Sequence, residues 1–157
     1  MSIRLLVFSA LFAACGRLCA AIPVVTIASG NTVQLTEATL APLQKQSVTA
    51  TAHGKTASYE GYDLIAVLKA AGVTPVESLR GKSLGTTIVV SAADGYRVVF
   101  ALSELDPTLG NRRVLLVDRE NGKPLPSNED PWRLVVPSDQ RPARWIREVV
   151  SIVVSRP

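Results

Sequence analysis

The residues of this chain best suited to chemistry crowd towards its C-terminal end. The stretch Asn128-Glu129-Asp130-Pro131-Trp132-Arg133-Leu134-Val135-Val136-Pro137 continues through Asp139 to Arg144-Trp145-Ile146-Arg147, and it holds both tryptophans and four arginines. Arg133 stands at the mouth of an apolar run, Leu134 to Val136, that reads as a buried strand ending on Pro137. A guanidinium fixed there is a permanently charged, bidentate donor suited to a phosphate or carboxylate. Arg144 comes just before a second apolar run, Val149 to Val154. Two guanidiniums converging without equal acidic compensation would attract an anion. The same two residues could instead be tied to Asp94, Glu129 or Asp130 in a structural ion-pair network.

Other reactive side chains are sparse. His53 is the single histidine and falls at an expected hairpin tip with no Cys, Asp or Glu close by, so it reads as a solvated turn residue rather than a ligand. Ser103, Ser127 and Ser138 have no histidine near them in sequence, which leaves a hydrolase triad unsupported. Asp94-Gly95-Tyr96 is first a turn, although its tyrosine could close a pocket. Trp132 and Trp145 read as core and rim packing before they read as stacking platforms.

The elements that must position these residues are short. At 157 residues, 47% hydrophobic and 19% charged, the chain can bury one core and is expected to form one domain over residues 22–157. Residues 1–21 are set apart. Arg4 precedes the apolar run Leu5 to Cys15, and small residues follow as far as Ala20-Ala21, the pattern of a signal peptide too short to span a bilayer. Cleavage after Ala20 or Ala21 would leave a periplasmic or secreted chain without a thiol, because Cys15 and Cys19 are the only cysteines. The minority alternative is lipidation at Cys15, with Phe12 where Leu is usually wanted. Losing Arg4 and Arg17 takes the formal charge from +4 to +2, and the remaining basic residues are scattered, which argues against a nucleic-acid partner.

In order, Val24 to Ala28 and Thr32 to Leu35 read as a hairpin, and Thr36 caps a helix over Glu37 to Gln44. Strands over Ser47–Ala52 and Lys55–Tyr59 flank His53-Gly54. Asp63 caps a helix carrying Leu64, Val67, Leu68 and Ala71 on one stripe, stopped by Gly72. Thr86–Ser91 and Arg97–Leu102 flank Ala93-Asp94-Gly95, Ser103–Leu105 forms a helical turn, and Val114–Asp118 is a buried strand before the Asn121-Gly122 turn. The fold class is α+β: a mixed, mostly antiparallel β-sheet or barrel-like core with two or three helices.

Five motifs in this order carry a resemblance. Tyr59-Glu60-Gly61-Tyr62-Asp63-Leu64 with Leu68 and Ala71-Gly72, then Ala93-Asp94-Gly95-Tyr96, Asn121-Gly122-Lys123-Pro124-Leu125, Pro131-Trp132-Arg133-Leu134-Val135-Val136-Pro137 and Arg144-Trp145-Ile146 resemble the oxidoreductase molybdopterin-binding domain of the sulfite oxidase family. The likeness covers roughly residues 24–154 and is to a small, exported, single-domain branch. It implies a pterin-type cofactor site at Arg133, Arg144, Asn128, Asp94, Tyr96 and Trp132. It also implies a metal-ligating cysteine two residues before a glycine, in the segment that here reads Ala50-Thr51-Ala52-His53-Gly54. Ala52 fills that place, and a methyl group cannot ligate a metal. Where the family tends to have His-Gly-x-Pro-x-Arg, this chain has Asn128-Glu129-Asp130-Pro131-Trp132-Arg133. The family's late Lys-Trp pair appears as Arg144-Trp145, a planar fork in place of a point donor.

Two functions follow as alternatives. The favoured one is an exported accessory module that keeps the scaffold and binds an anionic small molecule, a pterin-like ligand or a periplasmic protein partner, with no independent molybdenum redox catalysis. The other is a molybdopterin-dependent oxidoreductase, or a subunit of one, that holds its cofactor without a protein thiolate.

Overall fold

The computed structural model describes residues 23–27, 30–73 and 79–157, so the expected signal peptide, with Cys15 and Cys19, lies outside the described residues. Two open sheets are built mostly from neighbouring hairpins. In the first, β1 (Val24–Ile27) and β2 (Thr32–Gln34) pair antiparallel. The order β2-β1-β10-β5-β6 is completed by β5 (Thr87–Ala92), β6 (Arg97–Ala101) and β10 (Val149–Ser155). Among the described strands only β1 and β10 pair parallel.

The second sheet begins with β3 (Gln46–Ala52) and β4 (Lys55–Asp63), then β7 (Leu115–Glu120). Along the far edge of β7 lie, end to end, β8 (Lys123–Pro124) and β9 (Arg133–Val135). The α+β, antiparallel-rich class read from the sequence holds. The barrel-like closure does not, because among the described residues each sheet keeps free edges.

Local signals account for most elements. His53 and Gly54 take φ of 50° and 76°, the left-handed pair that a two-residue hairpin needs. Thr36 caps α1 (Glu37–Leu40) by accepting from Thr39 N at 3.3 Å, and Pro42 stops that helix short of the expected Gln44. Asp63 caps α2 (Leu64–Ala70) by accepting from Ile65 N at 3.1 Å, and Leu64, Val67 and Leu68 turn to the core. One helical turn, α3 (Leu102–Leu105), follows β6.

Packing joins the two sheets around Phe100, Leu64, Leu68, Ile88, Leu115, Leu116, Leu134 and Ile152, all fully buried. The continuous apolar run of β7 is explained by its position between β4 and β9, with Leu115 to Val117 buried on both faces. At the β4–β7 register shift the backbones come so close that a Cβ on Gly61 would lie 2.2 Å from the Leu116 carbonyl oxygen. Among the described residues no helix is long and apolar enough to cross a membrane.

Candidate functional site

A cleft of about 570 Å³ opens where four segments meet. The β3–β4 turn brings His53, and the β5–β6 turn brings Asp94 and Tyr96. The loop before β9 brings Asn128 and Glu129, with Arg133 beneath them. A 3₁₀ turn over Pro142–Arg144 and the chain after it, from Trp145 to Glu148, form the remaining wall.

Each segment is pinned by its own backbone chemistry. The Asp94 carboxylate accepts from Tyr96 N at 2.8 Å, an Asx turn that sends the tyrosine across the cleft mouth to donate from its hydroxyl to Ala143 O at 2.9 Å. Trp145 is fixed by an indole N–H donated to Val136 O at 2.9 Å. Leu134 N donates to Ile146 O at 2.7 Å, which clamps the two halves of the Asn128–Arg147 stretch together. Glu148 sits at φ 47°, a conformation costly for a side chain of its size, and its carbonyl accepts from Ala93 N at 3.0 Å.

Arg133 is the centre of the site and it is already engaged. Its Nη1 donates to Glu129 at 2.6 Å and lies 3.6 Å from Glu120. The guanidinium carbon lies 5.3 Å from the Tyr59 ring centroid and 5.6 Å from that of Trp145, and these two rings meet edge to face at 5.6 Å. An aromatic corner of this kind holds a cation by its ring quadrupoles. Burial raises the Tyr59 phenol above its ordinary value, with the charge of Arg133 pulling the other way. Arg133 Nε is buried and has no acceptor among the described residues.

Four of the six residues implied as the binding site line this one cleft: Arg133, Asn128, Asp94 and Tyr96. Arg144 and Trp132 are held elsewhere. Arg144 makes a two-pronged contact to Asp139, at 2.8 and 2.6 Å, and lies 3.6 Å from Glu104 and 4.6 Å from the Phe100 ring centroid. Trp132 leans on Tyr62 and lines a smaller cleft of about 300 Å³ with Asp118 and Arg119. Of the two alternatives read from the sequence, converging guanidiniums or an ion-pair network, the contacts match the second: Arg133 has Glu129 and Glu120, and Arg144 has Asp139 and Glu104. Of the acids read as their partners, only Glu129 is one.

No local sequence signal marks His53 and Glu148 as cleft residues, or Asp139 as the acceptor shared by Arg144 and Arg112. The paired turn His53-Gly54 and Asp94-Gly95 were each visible. That they face each other depends on sheet packing, which leaves no local mark.

The ion pairs set a pH response. The Asp139 carboxyl is held below the ordinary carboxylate range, chiefly by the Arg144 hydrogen bond, against an opposing effect of burial. A carboxyl depressed in the folded state contributes fully above its unfolded value of about 3.9 and loses that contribution as pH falls through the folded value. Asp63 has the opposite sign: burial raises its pKa, so its ionised form costs stability, and the cost is relieved as pH falls through the raised value. Asp139→Asn is expected to lower the melting temperature at neutral pH and to flatten the decline below about pH 4. Melts of both proteins across the acid range check this, and an unchanged acid decline in the variant would contradict it.

Residues 20–156 match the model of a family described as the oxidoreductase molybdopterin binding domain. Among solved structures the chain is similar to the sulfane dehydrogenase SoxCD from Paracoccus pantotrophus, with a TM-score of 0.65 and 17% identity, covering 86% of this chain and 38% of that one. The chain therefore spans well under half the length of the solved relative it matches, and the likeness is one of fold. Among curated sequences no match is found.

Proposed function

Since this chain belongs to the oxidoreductase molybdopterin binding domain family, we propose that it is an exported accessory module that keeps the family scaffold, performs no molybdenum redox chemistry by itself, and uses the Arg133 cleft to hold a segment of a protein partner. The observation that carries this reading is the state of Arg133. A guanidinium already neutralised at 2.6 Å by Glu129 has little charge left for a dianionic phosphate.

The rest of the lining does not fit a molybdopterin cofactor either. Three carboxylates, Asp94, Glu129 and Glu148, face two guanidiniums, Arg133 and Arg147. The described residues include no cysteine, and no group of three His, Cys, Asp or Glu side chains among them could hold a metal ion. On this reading Ala52, buried at the end of β3 beside His53, stands where catalytic members carry their thiolate. A neutral or singly charged peptide segment suits the lining better, and a carbonyl or a lone carboxylate could satisfy Arg133 Nε.

Redox turnover tests the reading. The purified exported protein is expected to show no sulfite- or sulfoxide-dependent electron transfer to an artificial acceptor, and sustained turnover would overturn it. Mass spectrometry of the exported chain should find an N-terminus near Ala21 or Ile22 and no cysteine. A retained, diacylated Cys15 would contradict the soluble-export part.

A further inference from the structure

The outer edge of β3 offers an interaction surface that is independent of the cleft. Natural edge strands are usually short, charged, bulged or interrupted by proline, because an open row of N–H and C=O groups invites pairing with another chain. The other edges follow this rule: β2 has three residues, β6 carries Arg97, β8 is only Lys123-Pro124, and β9, end to end with it, has three residues. β3 does not. It runs for seven residues, Gln46-Ser47-Val48-Thr49-Ala50-Thr51-Ala52, without a charge or a proline, and its pairing with β4 is regular from end to end. Among the described residues no strand lies against its other side.

The phase of the hydrogen bonds decides which groups are free. A two-residue turn makes Ala52 and Lys55 a hydrogen-bonded pair, and alternation then gives Ala50 with Ala57, Val48 with Tyr59 and Gln46 with Gly61. The N–H and C=O groups of Ser47, Thr49 and Thr51 consequently point outward. Of these, only Ser47 O has a partner among the described residues, a long 3.4 Å contact from Arg113, whose stronger bond is to Gln46 Oε1 at 2.6 Å. The same three residues carry their hydroxyl side chains on the exposed face.

We propose that this edge pairs antiparallel with the β3 strand of a second copy of the chain, about a two-fold axis at Thr49. The strand is self-complementary in that register. Thr49 meets Thr49 of the second copy and Ser47 meets Thr51, so all three outward residues fall on hydrogen-bonded positions at once. The hydroxyls then line up across the seam on one face, where Thr–Thr and Ser–Thr pairs are favourable, and Val48 meets Ala50 on the other. No like charges are brought together. Lys45, at the strand's start, is already paired with Asp118. The contact joins the two five-stranded sheets into one of ten, but a single edge buries less than the ~1,200 Å² of stable complexes, so the dimer is expected in the micromolar range or weaker.

Sedimentation equilibrium from about 10 to about 500 μM tests this, because the dimer fraction should rise through that range. Thr49→Lys, which sets two ammonium groups face to face on an exposed position, should abolish dimerisation and leave the thermal melt unchanged. Cross-linking fixes the register in the exported chain, which on the reading above carries no cysteine of its own. Thr49→Cys places two thiols on Cα atoms about 5.5 Å apart, within disulfide reach, and should oxidise to a dimer. Thr51→Cys faces Ser47 instead and should not. A protein that stays monomeric with no Thr49→Cys cross-link, including one whose edge takes another protein's strand instead, overturns the proposal. So does a dimer that Thr49→Lys leaves intact.

Discussion

Arg133→Ala is expected to destabilise the protein by about 3–5 kcal/mol while leaving its response to phosphate ligands unchanged. The side chains of Arg133 and Glu129 are 11% and 13% exposed, so their ion pair is shielded from solvent rather than screened by it. Removing the guanidinium strands Glu129 without its buried partner, loosens Glu120, and opens a gap in the corner formed by Tyr59 and Trp145. For a domain of this size the loss corresponds to a fall in melting temperature of roughly 10–20 °C. Arg133→Met combined with Glu129→Leu should recover much of it, since a buried ion pair replaced by apolar groups of similar shape is often close to neutral. Pyrophosphate or a pterin phosphate should not raise the melting temperature of the wild-type protein. A clear ligand-induced shift in wild type, lost in Arg133→Ala, would contradict the assignment and restore an anion site.

Gly61→Ala should be at least as damaging, at about 3 kcal/mol or more. A Cβ at this position would lie 2.2 Å from Leu116 O, 2.4 Å from Val117 Cα and 2.8 Å from Leu116 C, all backbone atoms that cannot rotate away. Relief requires β4 to separate from β7, which is the central pairing of the second sheet and the platform beneath Arg133. Urea titration of the variant should show a lower midpoint or no cooperative transition, and a midpoint equal to wild type would mean that the close approach is absent in solution.

How far the sequence could be read follows from the range of each signal. The α2 cap at Asp63, the stop at Gly72 and the turns at His53-Gly54 and Asn121-Gly122 are local, and each appears where its residues imply. β4 runs on to Asp63 rather than ending at Tyr59, because Glu60-Gly61-Tyr62 shows no turn residue pair and the pairing with β7 draws it out. The parallel pairing of β1 with β10 joins the two ends of the described chain, so no local pattern announces it. At the site, the Asn128–Arg147 stretch marks the right region and Arg133 the right residue. Its charge balance was not legible. Asp139 takes Arg144 through the fold of an irregular loop, and Glu148 reaches the cleft only because its backbone adopts a positive φ that nothing in a glutamate foretells.

The proposed absence of molybdenum redox chemistry in this chain is tested most directly by elemental analysis of the protein purified from its own exported compartment, in cells that make the molybdenum cofactor. Molybdenum is expected far below one atom per chain, both in wild type and in Arg133→Lys. One molybdenum per chain, retained through purification, would contradict it.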